Sequence, residues 1–447
     1  MTRRSAPTRA DRSFSARPAR RGFTLVELLV AMAAGLMVAT AAYALAKNAL
    51  DVFQNESRGF SAQFSAMSGM TRLAADVRRA GFMTSANSAA DPFRCGDMPG
   101  GQDQRRLSAL VLVRGGSGSY TDDPAVTGSS NYDAIPAVYT SAENNRKPDR
   151  VRLAGNFATT EIFDLATYDA TDGGTFKLQT DSPAVQRVYD EWTQGGTDIC
   201  DMFAPTIGAG PGRSPRYATV TTAAGQTFFV KVTNCVPTDS GSSYDGVTIT
   251  WTPIQTATRC TEAPKTIAPT VLIEYFLANI ASAADATATG LDASAFDLTQ
   301  PVQAAVTGDG DRMELVRREI NADGGIVAGS GEIVAEYAVD LKLAFRTLQT
   351  APPAVPFFSD FDASDIGPAE TNLWDQPQRL RSAVIRLSTR ARTADREDLG
   401  SAAGPATPEP LKRFAIFDNT NTIKLRFARV RTLQTEVALP NLAGLVW

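Results

Sequence analysis

The chain has 447 residues, 43% hydrophobic and 21% charged, with 34 glycines and 25 prolines, the composition of a globular protein with ample material for a core. Its net charge of −4 hides an asymmetry: residues 1–22 carry seven arginines against Asp11, about +6, which leaves −4 − 6 = −10 on the rest. A mildly acidic body argues against general nucleic-acid binding, and the lack of any histidine removes Ser-His-Asp and Cys-His nucleophiles and every His-based metal site.

The basic leader ends Arg20-Arg21-Gly22, and residues 23–46 then read FTLVELLVAMAAGLMVATAAYALA. From Leu28 to Ala46 there are 19 uncharged residues, close to the number, about 20, that a helix needs to cross the hydrocarbon core. The basic flank places residues 1–22 in the cytoplasm and exports the chain beyond the span. An ordinary secretory signal cut after Ala44-Leu45-Ala46 has an apolar stretch of only about 7–15 residues. Neither that reading nor a generic signal anchor accounts for Glu27. A carboxylate in a membrane span costs a few kcal/mol and marks a functional site by default.

Gly22-Phe23-Thr24-Leu25-Val26-Glu27 resembles the prepilin cleavage site, G/FTLVE, of type IV pilins and type II secretion pseudopilins. The resemblance implies cleavage after Gly22 by a membrane aspartyl prepilin peptidase, N-methylation of Phe23, and retention of the apolar segment. The new α-amine, with an unperturbed pKa of about 8, is largely cationic at neutral pH. Phe23 and Glu27 are i and i+4, on one helical face. In the family this glutamate is thought to meet the N-terminal amine of a neighbouring subunit. Pairing neutralises two charges that are each costly alone in an apolar filament, which makes Glu27 the expected subunit-assembly residue.

Beyond the span no proline occurs before Pro92. Phe60, Phe64, Met67, Met70, Leu73 and Val77 recur at spacings of three and four, which predicts an amphipathic helix with Gly81 as its C-cap. The expected helix covers 23–81, with 23–46 transmembrane and 47–81 packed under a folded head of residues 82–447. Its end, Leu73-Ala74-Ala75-Asp76-Val77-Arg78-Arg79-Ala80-Gly81-Phe82, resembles the L-x-x-D-I/V-R-x-A-G-F/Y stretch of PilW-type minor pilins.

In the head, Leu107–Arg114, Arg216–Thr222, Thr227–Thr233, Val247–Thr252 and Thr270–Phe276 are rich in β-branched and aromatic residues and read as strands. Gly115–Asn131, Ala281–Ala295 and Ala394–Pro410 read as loops. Met313–Ile320 and Glu332–Phe345, joined through Asn321-Ala322-Asp323-Gly324-Gly325, read as a hairpin, and Arg426–Leu439 as a closing strand. Ile273-Glu274-Tyr275-Phe276, Leu315-Val316-Arg317-Arg318 and Glu332–Val339 resemble the sheet of PilW-type and J-type subunits, whereas 90–265 resembles nothing in them and reads as an insertion. The expected fold class is α+β and pilin-like: a long N-terminal α-helix packed on an antiparallel β-sheet domain with large insertions.

Cys95, Cys200, Cys235 and Cys260 are widely spaced with no C-x-x-C pair, which argues against a zinc ribbon or redox site. An even count in an exported domain implies two disulfides, in any of three pairings, with buried free thiols as the alternative. The acidic clusters Asp309/Asp311 and Asp360/Asp362/Asp365 complete no EF-hand loop and read as solvated charge. There is no Walker A, nucleophile-elbow or H-E-x-x-H motif. No cofactor, metal or enzymatic activity is expected.

The resemblance implies a structural subunit, a minor pilin starting assembly or forming the tip of a type IV pilus. A mature chain of 447 − 22 = 425 residues is large for a shaft subunit. The implied partners are the prepilin peptidase, other minor pilins, the major pilin and a tip adhesin. The implied location is the inner membrane of a Gram-negative bacterium with the head periplasmic, then the pilus at the cell surface. Two alternatives stand: a J-type pseudopilin of type II secretion, and an exported enzyme or carbohydrate-binding module carried on a pilin stalk.

Overall fold

The computed structural model describes residues 24–88, 91–96, 106–113, 148–168, 174–206, 213–239, 241, 243–254, 260, 262–278, 280, 287, 289–292, 313–348, 356–358, 379–392, 413–417 and 425–443. The expected loops 115–131 and 394–410, both acidic clusters, Gly22 and Phe23 lie outside them. The chain divides into two units, Met1–Ser57 and Arg58–Trp447. Helix α1, Leu25–Arg79, contributes to both.

In the first unit, Leu25–Leu50 is a 26-residue stretch of mean hydropathy 2.1, long and apolar enough to cross a membrane. Its large side chains, among them Leu29, Met37 and Leu45, are exposed.

The second unit is antiparallel throughout its strand ladders. In chain order these are β1 (Leu110–Val113), β2 (Arg150–Gly155), β3 (Phe163–Tyr168), β4 (Thr175–Leu178), β5 (Arg216–Thr222), β6 (Thr227–Asp239), β7 (Tyr244–Pro253) and β8 (Pro264–Ala278). Then come β9 (Glu314–Ile320), β10 (Glu332–Ala335), β11 (Ala338–Leu348), β12 (Pro356–Phe358), β13 (Leu380–Arg390), β14 (Arg413–Phe417) and β15 (Leu425–Ala438). Strands β1–β10 form a ten-stranded sheet, and β12-β11-β13-β15-β14 a five-stranded one.

Strand β8 belongs to two structures at once. Ile267 is opposite both Phe163 of β3 and Val220 of β5, so the first half of β8 lies between those strands. Ile273 is opposite both Leu153 of β2 and Glu319 of β9, so the second half lies between these. The first half closes a circuit, β8-β3-β4-β7-β6-β5 and back to β8. Much of the unassigned stretch 90–265 is therefore a six-stranded barrel. Its core holds Phe176, Val220, Val232, Ile249 and Trp251 together with side chains of two helices, α2 (Pro183–Thr193) and α3 (Ile199–Phe203). Ser182 caps α2 through its Oγ, as its residue type favours. A bulge between Val232 and Asn234 reverses the alternation of β6, turning Cys235 inward and leaving Val236 exposed.

The expected hairpin partner of β9 is shorter than its sequence suggests. Of the expected partner Glu332–Phe345, only the part in β10 pairs with β9. The chain then passes through Tyr337, at φ 54°, into β11 of the other sheet. Period-2 alternation runs through both pieces and cannot mark a change of sheet.

Residues 58–79 of α1 pack against both sheets, but the buried stripe differs from the expected one. Met70, Leu73 and Val77 are buried, joined by Ala62, Ala66 and Ala80, whereas Phe60, Phe64 and Met67 are 70%, 67% and 53% exposed. The reason is close approach. Thr389 Oγ1 donates to the Ala62 carbonyl at 2.7 Å, and Ser65 Oγ to that of Glu336 at 2.9 Å. A Cβ on Gly69 would stand 2.7 Å from that of Ala335. Only small residues fit at that separation.

Candidate assembly site and the head end of the helix

Thr24 and Glu27 open α1 as a reciprocal pair. The Thr24 N–H and Oγ1 both donate to Glu27 Oε2 at 3.0 Å, and the Glu27 N–H donates to Thr24 Oγ1 at 3.2 Å. This is a capping box, in which N-cap and N3 side chains satisfy each other's orphan backbone donors. Glu27 thus has a local role that apolarity and span length gave no hint of, although T-x-x-E before an apolar run is its sequence signature. The cap holds the carboxylate in the first turn of the helix.

The other end of α1 sets a second group of side chains. Asp76 lies on the buried stripe between Leu73 and Val77 and is itself buried. Its Oδ2 accepts from Tyr275 Oη at 2.7 Å and from Arg317 Nε at 2.8 Å. Burial first, then the charge and hydrogen bond of Asp76, push the Tyr275 phenol far above its ordinary 10.0. Burial lowers the Arg317 pKa, but the hydrogen bond and charge of Asp76 outweigh it and raise the guanidinium. Other backbone and side-chain groups of Leu73–Phe82 are also engaged. Arg79 Nη2 donates to the Asn156 carbonyl at 2.8 Å and its guanidinium lies over Phe82 and Phe157. Asn441 Nδ2 donates to the Arg78 carbonyl. Gly81, at φ +75°, ends the helix, its N–H donating to Ala154 O at 2.8 Å. A Cβ there would meet Leu442 Cδ2 at 2.7 Å, so only glycine suits both conformation and space.

The phenol carries a pH signature. Unfolded Tyr275 loses its proton near pH 10, whereas the folded phenol keeps it, so its share of stability is complete below about pH 10 and lost above. Tyr275→Phe should cost about 1 kcal/mol at neutral pH and flatten the alkaline fall. Parallel stability curves for both proteins between pH 9 and 11 would count against this.

On the opposite face of β8, Glu274 is fully buried between Arg150 (3.0 Å) and Arg318 (2.7 Å), with the Arg318 guanidinium over Phe276. In the sequence Glu274, Tyr275, Arg317 and Arg318 stand out only as points of resemblance, and their pairing goes unseen. The signal available was ionisable residues interrupting apolar runs, which are buried only when paired.

Cys95 and Cys260 are disulfide-bonded with Cα atoms 5.1 Å apart, and Cys200 and Cys235 with Cα atoms 5.3 Å apart. The second bridge ties α3 to β6 inside the barrel core. The first ties the segment after α1, whose Phe93 and Cys95 bond Thr227, to the residue range just before β8. Non-reducing peptide mapping should recover these two pairs, and reduction should lower stability by about 2–4 kcal/mol per bridge. Free thiols, or Cys95 joined to Cys200, would overturn the pairing. Among the described residues no group of His, Cys, Asp or Glu is placed to hold a metal ion.

The expected site residues thus belong to different parts of the chain: Gly22 and Phe23 precede the described residues, Glu27 caps α1, and the four cysteines brace the head. No curated protein and no solved structure matches the chain. Residues 17–43 match the family model described as the prokaryotic N-terminal methylation motif, and with that motif over an exposed apolar helix, followed in sequence by an antiparallel β head, the chain is a type IV pilin- or pseudopilin-like protein.

Proposed function

We propose that the protein is a minor pilin of the PilW type, a structural subunit that starts assembly of a type IV pilus or forms its tip with other minor pilins. The observation that carries this reading is the methylation motif at 17–43 on a chain whose head adds a six-stranded barrel to the sheets that receive α1. A barrel of that bulk suits the end of a filament, where neighbours do not crowd it. Leader removal after Gly22, methylation of Phe23, and pairing of Glu27 with a neighbour's amine complete the proposal. The subunit waits in the inner membrane with its head exported, and ends in the pilus, where the barrel is free to carry an adhesin.

Mass spectrometry of the mature N-terminus, combined with the distribution between sheared pili and membranes, tests it. The expected result is a methylated Phe23 and recovery with sheared pili. Recovery only with a secretion apparatus would assign the chain to pseudopilins instead. Gly22→Arg should leave a slower, unprocessed band, because a bulky cation does not fit a small-residue cleavage site. Normal maturation of that variant would remove the cleavage assignment.

A further inference from the structure

The two ends of the barrel differ. Helices α2 and α3 connect the end of β4 to the start of β5, so they enter the core from that end. The other end, where β3 and β7 finish and β4 and β6 begin, carries a row of aromatic side chains instead. Tyr168, the last residue of β3, is opposite Phe176 of β4 and shares its face. Phe176 stacks on Trp251 with ring centroids 4.9 Å apart, and the Phe228 ring lies 6.5 Å from that of Trp251. Phe176 is fully buried, Phe228 half-buried and Tyr168 42% exposed, so the row runs from the core to solvent. Phe93, 53% exposed, is fixed at the same end. Its carbonyl accepts from the Thr227 N–H at 2.7 Å, and the Cys95–Cys260 bridge holds the segment.

Trp251 is the odd member of the row. It is only 8% exposed, and its indole Nε1, a donor with no acceptor capacity, has no hydrogen-bond partner. Such a donor is costly to bury, and the phenylalanines beside it offer no acceptor oxygen. Aromatic faces around a polar donor at the mouth of a barrel are the composition of a small-molecule site. We propose that this mouth binds a neutral sugar residue of a surface polysaccharide. The apolar C–H face of the sugar ring stacks on Tyr168 and Phe228, and a hydroxyl oxygen accepts from Trp251 Nε1. Phe228 turns aside to admit it, a rotamer change of the kind that binding commonly brings. An acyl chain would leave the indole N–H unmatched. Single-stranded nucleic acid also stacks on aromatic rings but needs a basic groove, which the acidic body of this chain disfavours. The site gives the barrel a ligand, and rests on the minor-pilin reading for its place at the tip.

The test presents the full chain, in detergent, with a printed array of neutral oligosaccharides, a thymidine oligonucleotide and phosphatidylcholine vesicles. At least one oligosaccharide should bind. Tyr168→Ala and Phe228→Ala should each weaken that binding about ten-fold, the order expected when one stacked ring is lost. Trp251→Phe keeps the ring and removes the donor, and should weaken it by a similar factor, about ten-fold. Tyr168 stands at the surface, so its variant reads the site even if those at Phe228 or Trp251 misfold. Binding of no oligosaccharide, or binding that these variants leave unchanged, would overturn the inference. Binding to the oligonucleotide or the vesicles alone would overturn it too. None of these outcomes bears on leader removal or recovery with sheared pili, so the minor-pilin reading is judged separately.

Discussion

Asp76→Ala should destabilise the head by about 3–5 kcal/mol, because it strips the carboxylate from a buried cation and leaves Arg317 uncompensated. The Tyr275 hydroxyl loses its acceptor in the same step. The full chain should show a lower unfolding midpoint, and amides of residues 70–79 should exchange faster, since Asp76 is the polar anchor of that helix face. Asp76→Leu combined with Arg317→Met and Tyr275→Phe should recover much of the loss, as apolar replacement of buried pairs often does. An unchanged midpoint in Asp76→Ala would show that water or another acceptor satisfies Arg317 and that the buried pair is dispensable. A triple variant no better than the single one would locate the cost in packing rather than charge.

Assembly should fail in Glu27→Gln and survive in Thr24→Ala, which separates the two roles of one side chain. Glutamine retains the capping acceptor toward Thr24 but loses the charge for a neighbour's amine. Thr24→Ala removes the N-cap side chain, worth about 1 kcal/mol of helix stability, and keeps the carboxylate. Membrane insertion of Glu27→Gln should be unchanged or better, since a buried charge is removed. Cleavage should persist because Gly22 and the leader are untouched. The expected phenotype is a processed, membrane-resident protein that crosslinks poorly to other pilins, with fewer surface pili. A neighbour's ammonium buried without its carboxylate costs several kcal/mol. If Glu27→Gln assembles normally while Thr24→Ala does not, Glu27 is a cap residue and nothing more.

What sequence alone determined is the N-terminal segment, because every signal there is local. Seven leader arginines, 19 uncharged residues from Leu28, and the T-x-x-E spacing of Thr24 and Glu27 act through chain composition and i, i+3 spacing, and need no distant partner. Gly81 is likewise local, a left-handed helix end before Phe82. Strand existence was legible in β5, β7 and β15, where β-branched residues cluster. Tertiary structure decided the rest. Which stripe of α1 is buried depends on how close Ala335 and Glu336 approach Gly69 and Ser65, so the bulky Phe60 and Phe64 stay outside although their spacing fits the pattern. Asp76 lies 199 positions from Tyr275 and 241 from Arg317 along the chain, and their pairing leaves no local trace. Strand β8 shows the limit most plainly. PKTIAPTVLIEYFLA reads as one apolar strand, yet at Thr270–Val271 its neighbours change from barrel to sheet, because the backbone donors and acceptors on each edge are satisfied by whichever strands the fold brings alongside.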